Sequence, residues 1–228
     1  QVWGLDEPAL AGWNVLPYIW SNGGEITDEN YTKATGYLNS EATVNAVKML
    51  ADMYKNSEFT GFNSGDIPMT DGFGTGRYMM LLEGPWKTSE LAGAYPDFKY
   101  ATCEVPAGSA GSISVLGGED IAMFNTANKE GAWKFMKFMT SDFAEEEMAK
   151  CGQIPVNKEA LDSDVVANAD YAPFLDAITT AKARPPVASW SEIDNELTTA
   201  MTSIISEGAD VQETLDALAT KVDALLAE

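Results

Sequence analysis

The sequence of 228 residues contains no histidine and only two cysteines, Cys103 and Cys151. The absence of histidine excludes Ser-His-Asp and Cys-His catalysis, histidine general bases and most zinc sites. The two cysteines do not form a Cys-x-x-Cys pair, so a thioredoxin-like or metal-binding motif has little support. We therefore predict a protein with no metal site and no cofactor.

Basic residues are also scarce, because 14 lysines and arginines stand against 35 acidic residues and leave a net charge of −21. Such a surface repels phosphate backbones and anionic membranes, which argues against a nucleic-acid partner. One interpretation is an acidic surface that maintains solubility. The alternative is a cationic ligand, such as a polyamine or a basic peptide.

Long apolar runs are missing as well. No run approaches the ~20 residues that span a bilayer, so we predict no transmembrane segment in this chain. The N-terminus lacks the charged and apolar pattern of a signal peptide. The apolar content of 45% is ordinary for a globular protein.

A short apolar run at residues 78–82 predicts a buried strand that ends at Gly84-Pro85. Trp86 follows this break, and a helix is predicted to start at Lys87. The carboxyl ends of strands in open α/β sheets are where ligands bind, and a flat indole suits the C–H face of a sugar ring. Trp86 is therefore a candidate ligand residue, with ordinary core packing as the alternative.

Helical patterns alternate with short strand patterns along the chain, which predicts an α/β fold. Ser40, Ser189 and Asp210 are each predicted to cap a helix at its N-terminus. Further strands are predicted at residues 99–105 and, as two short pieces, within 115–124. Further helices are predicted at residues 14–20, 129–139, 142–150 and 171–182.

Several sequence blocks occur together in one order. They are residues 20–26, 49–54, 76–86, 117–122, 132–141 and 152–156, followed by Arg184-Pro185-Pro186 leading to Trp190. In this order and spacing the chain resembles the carbohydrate-binding, maltose-binding-protein-like group of extracellular solute-binding proteins of ABC transporters. The resemblance extends over nearly the whole chain.

The resemblance implies a periplasmic-binding-protein-like fold of type II, helix-rich, with two lobes that close on a ligand. Residues 1–105 and 156–228 would form the C-terminal lobe, and residues 106–155 would be an excursion that belongs to the N-terminal lobe. Most of the N-terminal lobe would then lie outside this chain. A signal peptide, often with a lipid-attachment cysteine, would precede it.

The same resemblance implies a set of ligand-binding residues. Trp13, Trp86 and Trp190 would stack on sugar rings, whereas Trp3, Trp20 and Trp133 would serve in packing. The polar candidates comprise two backbone N–H groups and four charged side chains: Gly117, Gly118, Glu119, Asp120, Asp71 and Arg184.

The resemblance also places Cys103 and Cys151 where the chain crosses between the lobes. An exported location permits a disulfide between them, and we state that bond as an expectation. The alternative is two buried apolar cysteines.

The implied function is that of a protein, not an enzyme, that captures a sugar or oligosaccharide in a cleft between the lobes. It would deliver this ligand to the permease subunits of an ABC transporter, in the periplasm or at the lipid-anchored surface of a bacterium. A binding protein of the same fold for a polyamine or another cationic solute is the alternative. A glycoside hydrolase is less favoured, because the adjacent Glu119 and Asp120 would point apart on a strand. We expect the 228-residue chain alone to bind sugar weakly or not at all.

Overall fold

A computed structural model of the chain describes residues 2–7, 9–56, 67–125, 127–167 and 171–227. Most of its elements are helices, and short strands lie between groups of them. In chain order they are β1 Trp3–Asp6, α1 Gly12–Ser21, α2 Glu41–Lys55, α3 Met69–Gly74, β2 Tyr78–Leu81, α4 Trp86–Ala94, β3 Val115–Leu116, α5 Lys129–Met139, α6 Asp142–Ala149, α7 Lys158–Leu161, α8 Ala172–Ile178, β4 Lys182–Ala183, α9 Trp190–Glu207 and α10 Val211–Leu226.

The strands of the described residues form two parallel pairs. β1 pairs with β2, so that Trp3 lies opposite Tyr78 and Leu5 lies opposite Met80. β3 pairs with β4, and Val115 lies opposite Lys182. In each pair the partner strands are far apart in sequence and joined by helical connections, which is the arrangement expected of an α/β chain.

The chain divides into two compact units. Unit 1 comprises Gln1–Leu82, Glu104–Leu116 and Ala177–Glu228, and unit 2 comprises Glu83–Cys103 and Gly117–Asp176. One predicted boundary, at 105/106, lies close to the change of unit after Cys103, whereas the other, at 155/156, falls inside unit 2. These units are compact parts of this chain, and the assignment of its segments to two lobes stays a prediction.

The core of unit 1 is helical. α9 packs on α10 and α2, and α2 packs on α1. Each helix presents an apolar stripe at helical spacing to its neighbours, as expected for packed amphipathic helices. The side chains that are at most 1% exposed include Leu16, Ile19, Val47, Leu50, Met201 and Leu215.

Unit 2 has a smaller core, in which Ala149, Val166 and Tyr171 are buried. The Tyr171 hydroxyl donates to the carbonyl oxygens of Ala149, at 2.8 Å, and Gln153, at 2.9 Å. α5 packs on α6, yet none of the residues of α5 is buried. Its Trp133 is 52% exposed, so the prediction that this tryptophan serves in packing is wrong.

Two predicted helix caps are confirmed. Ser40 accepts a hydrogen bond from the Thr43 N–H at 3.3 Å, and Asp210 accepts one from the Glu213 N–H at 2.9 Å. Ser189 precedes α9 as predicted but makes no side-chain cap, because its backbone (φ −80°, ψ 9°) lacks the extended conformation that aims an N-cap side chain at the first turn.

The strand predictions are partly wrong. Residues 99–105 form no strand, and only the first of the two strands predicted within 115–124 is present. The strand predicted at residues 78–82 exists as β2, but Met79 is 66% exposed and Met80 is 56% exposed, so only Tyr78 is buried. An apolar run indicates a strand without showing which of its faces this chain covers.

No helix in the described ranges combines the length and the apolar character needed to cross a membrane.

Candidate functional site

Three of the predicted ligand residues lie together in unit 1, and we call them the tryptophan cluster: Trp13, Arg184 and Trp190. Trp13 is the second residue of α1, and Trp190 is the first residue of α9. The guanidinium carbon of Arg184 lies 5.7 Å from the centre of the Trp13 ring, within the range of a cation–π contact. A Cβ atom added at Gly12 would lie 3.3 Å from Cζ2 of Trp190, so that indole lies against the first turn of α1.

All three side chains of the tryptophan cluster are half-buried. Among the ion pairs of the described residues, none involves Arg184. Its guanidinium therefore packs on an indole face and still has N–H groups to donate to a bound molecule.

The first turn of α1 is held against α9 by one carboxylate. Asp194 Oδ1 accepts a hydrogen bond from the Gly12 N–H at 2.7 Å. A Cβ atom at Gly12 would lie only 2.6 Å from the same oxygen, so this close approach requires glycine. Asp194 lies one turn after Trp190, and the two share a face of α9.

A second carboxylate holds the following turns of α1. Glu7 directly follows β1 and is 1% exposed. It accepts hydrogen bonds from Asn14 Nδ2 at 2.8 Å and from the Tyr18 hydroxyl at 3.0 Å. Burial, the charge of Glu7 and this hydrogen bond all raise the pKa of Tyr18, so its hydroxyl stays protonated and donates. Trp13 thus lies between two anchored positions of one helix.

Asp194, Glu7 and Tyr18 are absent from the set predicted from sequence. Asp194 could have been found from its spacing of four residues after Trp190, which places it on the same helix face. Glu7 and Tyr18 gave no such signal. A charged residue such as Glu7 is expected to be exposed, and only the fold shows that it is buried beside a hydrogen-bond donor.

Asp71 lies at another position of unit 1. It is an exposed residue of α3, a helix that packs on β2, where the ring of Tyr78 lies against Gly72. Its predicted part in ligand binding stays a prediction.

Trp86 belongs to unit 2 and is the first residue of α4, one position before the predicted start. Its ring lies directly over Gly84, where any side chain would overlap the indole. Gly84 therefore permits the backbone to pass beneath Trp86, and the half-buried ring is held at the N-terminus of its helix.

The segment after β3 carries the other four polar candidates of unit 2. Gly117, Gly118, Glu119 and Asp120 are all exposed, and the space beside the α-carbon of Gly118 is open to 4 Å. Their exposure is compatible with backbone N–H donors and carboxylate acceptors for a ligand, but their roles stay predictions.

The predicted disulfide between Cys103 and Cys151 is not present in the structure. Cys103 and Cys151 are both free and exposed in the structure, so neither the expected bond nor the alternative of two buried thiols is found. Cys103 lies in an irregular segment after α4, whereas Cys151 directly follows α6, where its carbonyl oxygen accepts a hydrogen bond from the Ser89 hydroxyl. Sequence position alone does not establish the close Cα approach that a disulfide requires.

Residues 3–173 match the family model described as bacterial extracellular solute-binding protein. The match covers well over half of the chain, and the chain belongs to this family of solute-binding proteins.

Similar proteins come from several bacteria. A binding protein of Brucella abortus strain 2308 is 30% identical over 216 residues, which are 91% of this chain and 51% of that protein. The diacetylchitobiose binding protein DasA of Streptomyces coelicolor is 28% identical over 200 residues, or 83% of this chain and 46% of that protein. The chain thus spans about half the length of the curated relatives it matches.

Solved structures show the same fold. The GacH receptor of Streptomyces glaucescens, solved unliganded and in complex with acarbose, superposes with a TM-score of 0.87 at 23% identity. The superposition covers 100% of this chain and 60% of that chain. The predicted periplasmic-binding-protein-like α/β fold of type II is confirmed.

Proposed function

We propose that this chain takes part in binding a sugar or oligosaccharide for uptake by an ABC transporter, as its family resemblance implied. The observation that carries the proposal is the tryptophan cluster, in which the guanidinium of Arg184 lies over the indole of Trp13 and the half-buried ring of Trp190 lies against the first turn of α1. The names of two similar proteins mention carbohydrate-like ligands, diacetylchitobiose and acarbose, which supports the same ligand class.

The chemistry of the cluster fits a sugar. Axial C–H groups of a pyranose are apolar and slightly positive, and they stack on the negative face of an indole. Ring hydroxyls need convergent polar groups, and the guanidinium of Arg184 supplies several N–H donors in a fixed plane. An apolar platform beside a polar donor gives both contact area and orientation.

The remaining candidates form the second part of the proposal. Trp86 would stack on a further part of the ligand, Gly117 and Gly118 would donate N–H groups, and Glu119 with Asp120 would accept hydroxyl protons. Asp71 is the weakest member, because α3 packs on β2 rather than on the helices that carry the cluster. In the whole protein, residues 1–105 and 156–228 would belong to one lobe and residues 106–155 to the other.

The proposal also includes an exported location in a bacterium, either periplasmic or lipid-anchored at the cell surface, and delivery of the ligand to permease subunits. The family of bacterial extracellular solute-binding proteins supports an exported location. The permease and the lipid anchor rest on the resemblance alone.

A cationic solute is less favoured by the structure. An amine would be repelled by the positive charge of Arg184, whose guanidinium lies over the Trp13 ring, whereas an uncharged sugar would not. Hydrolysis is also disfavoured, because Glu119 and Asp120 are exposed, whereas a general-acid carboxyl group needs an environment that raises its pKa.

Saturation-transfer-difference NMR with a panel of oligosaccharides tests the proposal, because this method detects weak binding. We expect sugar signals with the unaltered chain and a loss of about 3- to 10-fold in affinity in each of Trp13→Ala and Trp190→Ala, from the stacking energy of an aromatic ring. Trp133→Ala is the matched control, since it removes an exposed indole outside the cluster.

Spermidine is included in the same panel to test the alternative. Binding of spermidine with no signal from any sugar would contradict the proposal, and so would sugar binding that survives the loss of both Trp13 and Trp190.

A further inference from the structure

We propose that Asp194 is a positioning residue, which caps α1 from a distant helix and thereby sets the arrangement of Trp13 and Trp190. Its effect on sugar affinity rests on the proposed function, whereas its effect on the two indoles does not.

α1 lacks a cap of its own. Its N-cap residue is Ala11, which makes no side-chain hydrogen bond, and its first turn contains no acidic residue. The first N–H groups of a helix have no partner within the helix, and a carboxylate near them is stabilised by the helix dipole. The N-cap residue therefore provides no side-chain acceptor for the N–H group of Gly12.

Asp194 supplies the missing cap across 182 residues of sequence. Its Oδ1 atom accepts the N–H of Gly12, the first residue of α1, at 2.7 Å. Hydrogen bonds to a charged acceptor are about twice as strong as those between neutral groups. This bond therefore fixes the N-terminus of α1 to the first turns of α9.

The two ends of this bond adjoin the two indoles. Trp13 follows Gly12 directly, and Trp190 precedes Asp194 by one helical turn with its ring beside Gly12. Arg184 lies over the ring of Trp13. A change in the distance between Gly12 and Asp194 must consequently change the environments of Trp13 and Trp190 together.

The test uses the full chain labelled with 5-fluorotryptophan, which gives one ¹⁹F resonance for each of its six tryptophans. Single Trp→Phe variants assign the resonances. In Asp194→Ala we expect the resonances of Trp13 and Trp190 to move while the other four stay in place. Asp194→Asn keeps an acceptor oxygen and should return both towards their original positions.

Two controls separate this effect from loss of charge or of stability. Glu196→Gln removes the same charge from a partly exposed position of α9, where Glu196 forms an ion pair with Lys221 at 2.7 Å. Asp223→Asn removes the charge of another carboxylate that accepts backbone N–H groups. Asp223 is remote in sequence from both Trp13 and Trp190. Neither should move the resonances of Trp13 or Trp190.

A further variant keeps the test decisive if Asp194→Ala does not fold. Asp194→Glu preserves the charge but shifts the acceptor by one methylene group, so it should move the same two resonances. Unchanged resonances of Trp13 and Trp190 in Asp194→Ala, or in Asp194→Glu where Asp194→Ala does not fold, would overturn the inference. So would equal movements in Glu196→Gln.

Sugar affinity provides the last measurement. If the proposed function holds, Asp194→Ala should weaken sugar binding by about 3- to 10-fold, the effect of losing the stacking of one indole, and Glu196→Gln should not. Absence of a sugar signal from the unaltered chain would exclude sugar binding by this chain alone, and the ¹⁹F result would still decide the role of Asp194.

Discussion

Asp223 on α10 anchors the segment before α2, and its removal gives a sharply defined prediction. Its Oδ1 atom accepts the N–H groups of Ala34, at 2.5 Å, and Thr35, at 3.1 Å, and its Oδ2 atom accepts the Thr35 hydroxyl. Ala34 is fully buried. Asp223→Ala would therefore leave a buried backbone N–H group without its acceptor.

The expected loss follows from these contacts. A buried donor left unsatisfied costs about 1–3 kcal/mol, and a hydrogen bond to a charged group contributes about 1.5–3 kcal/mol. Because the three bonds share one side chain and do not add in full, we expect unfolding to become easier by about 3 kcal/mol. At about 2–4 °C per kcal/mol for a chain of this size, the midpoint of thermal unfolding should fall by about 6–12 °C.

The effect should depend on pH in one direction. Burial acts to raise the pKa of Asp223, but the hydrogen bonds from Thr35 and Ala34 outweigh it and lower the pKa below its usual value. A group with a lowered pKa in the folded state stabilises the protein above its unfolded pKa of about 3.9. This stabilisation is lost as the pH falls below that value, so the two proteins should converge in stability at acid pH.

Urea denaturation followed by circular dichroism at several pH values measures both effects. Glu213→Ala is the control, because it removes one charge from an exposed position of the same helix and should cost less than about 1 kcal/mol. An Asp223→Ala protein as stable as Glu213→Ala at neutral pH would refute the reasoning. A difference between Asp223→Ala and the unaltered chain that grows as the pH falls below about 4 would refute the sign.

Three further predictions concern the site and the thiols. The pKa of Tyr18 is raised in the folded protein, so above about pH 10 this hydroxyl ionises only on unfolding, and the free energy of unfolding should decline as the pH rises. Tyr18→Phe should lessen this decline, as measured by urea denaturation at alkaline pH. Gly12→Ala should destabilise the chain by about 1–3 kcal/mol, because the added methyl group meets a carboxylate oxygen at 2.6 Å; an unchanged urea midpoint would contradict this contact. Cys103 and Cys151 should both react with Ellman's reagent without denaturant or reductant, and fewer than two thiols would contradict their free, exposed state.

Local features of the fold could be predicted well from the sequence. The helices after Ser40 and Asp210 begin where their caps were expected, because each cap bonds an N–H group three residues away. α9 ends at Glu207, and Gly208 after it adopts the left-handed conformation that glycine favours at helix ends. Such features depend on neighbouring residues alone.

Features that depend on distant partners were predicted less well. Residues 99–105 alternate as a strand would, but no strand forms there, since a strand needs a partner and β-propensity mainly reflects packing on neighbours. The apolar face of α5 indicated a packed helix, yet none of its residues is buried. A pattern shows that a face can be covered without showing what covers it.

The sequence by itself determined the solute-binding family resemblance, the positions of most helices and the choice of Trp13, Trp190 and Arg184 as candidate ligand residues. Only the tertiary structure decided that these three lie together, that the buried Glu7 accepts a hydrogen bond from Tyr18, and that Asp194 caps α1. The physical reason is the range of the bonds. A helix cap joins residues three positions apart and can be recognised in the local sequence. The bond from Gly12 to Asp194 spans 182 positions and forms only when the helices have packed.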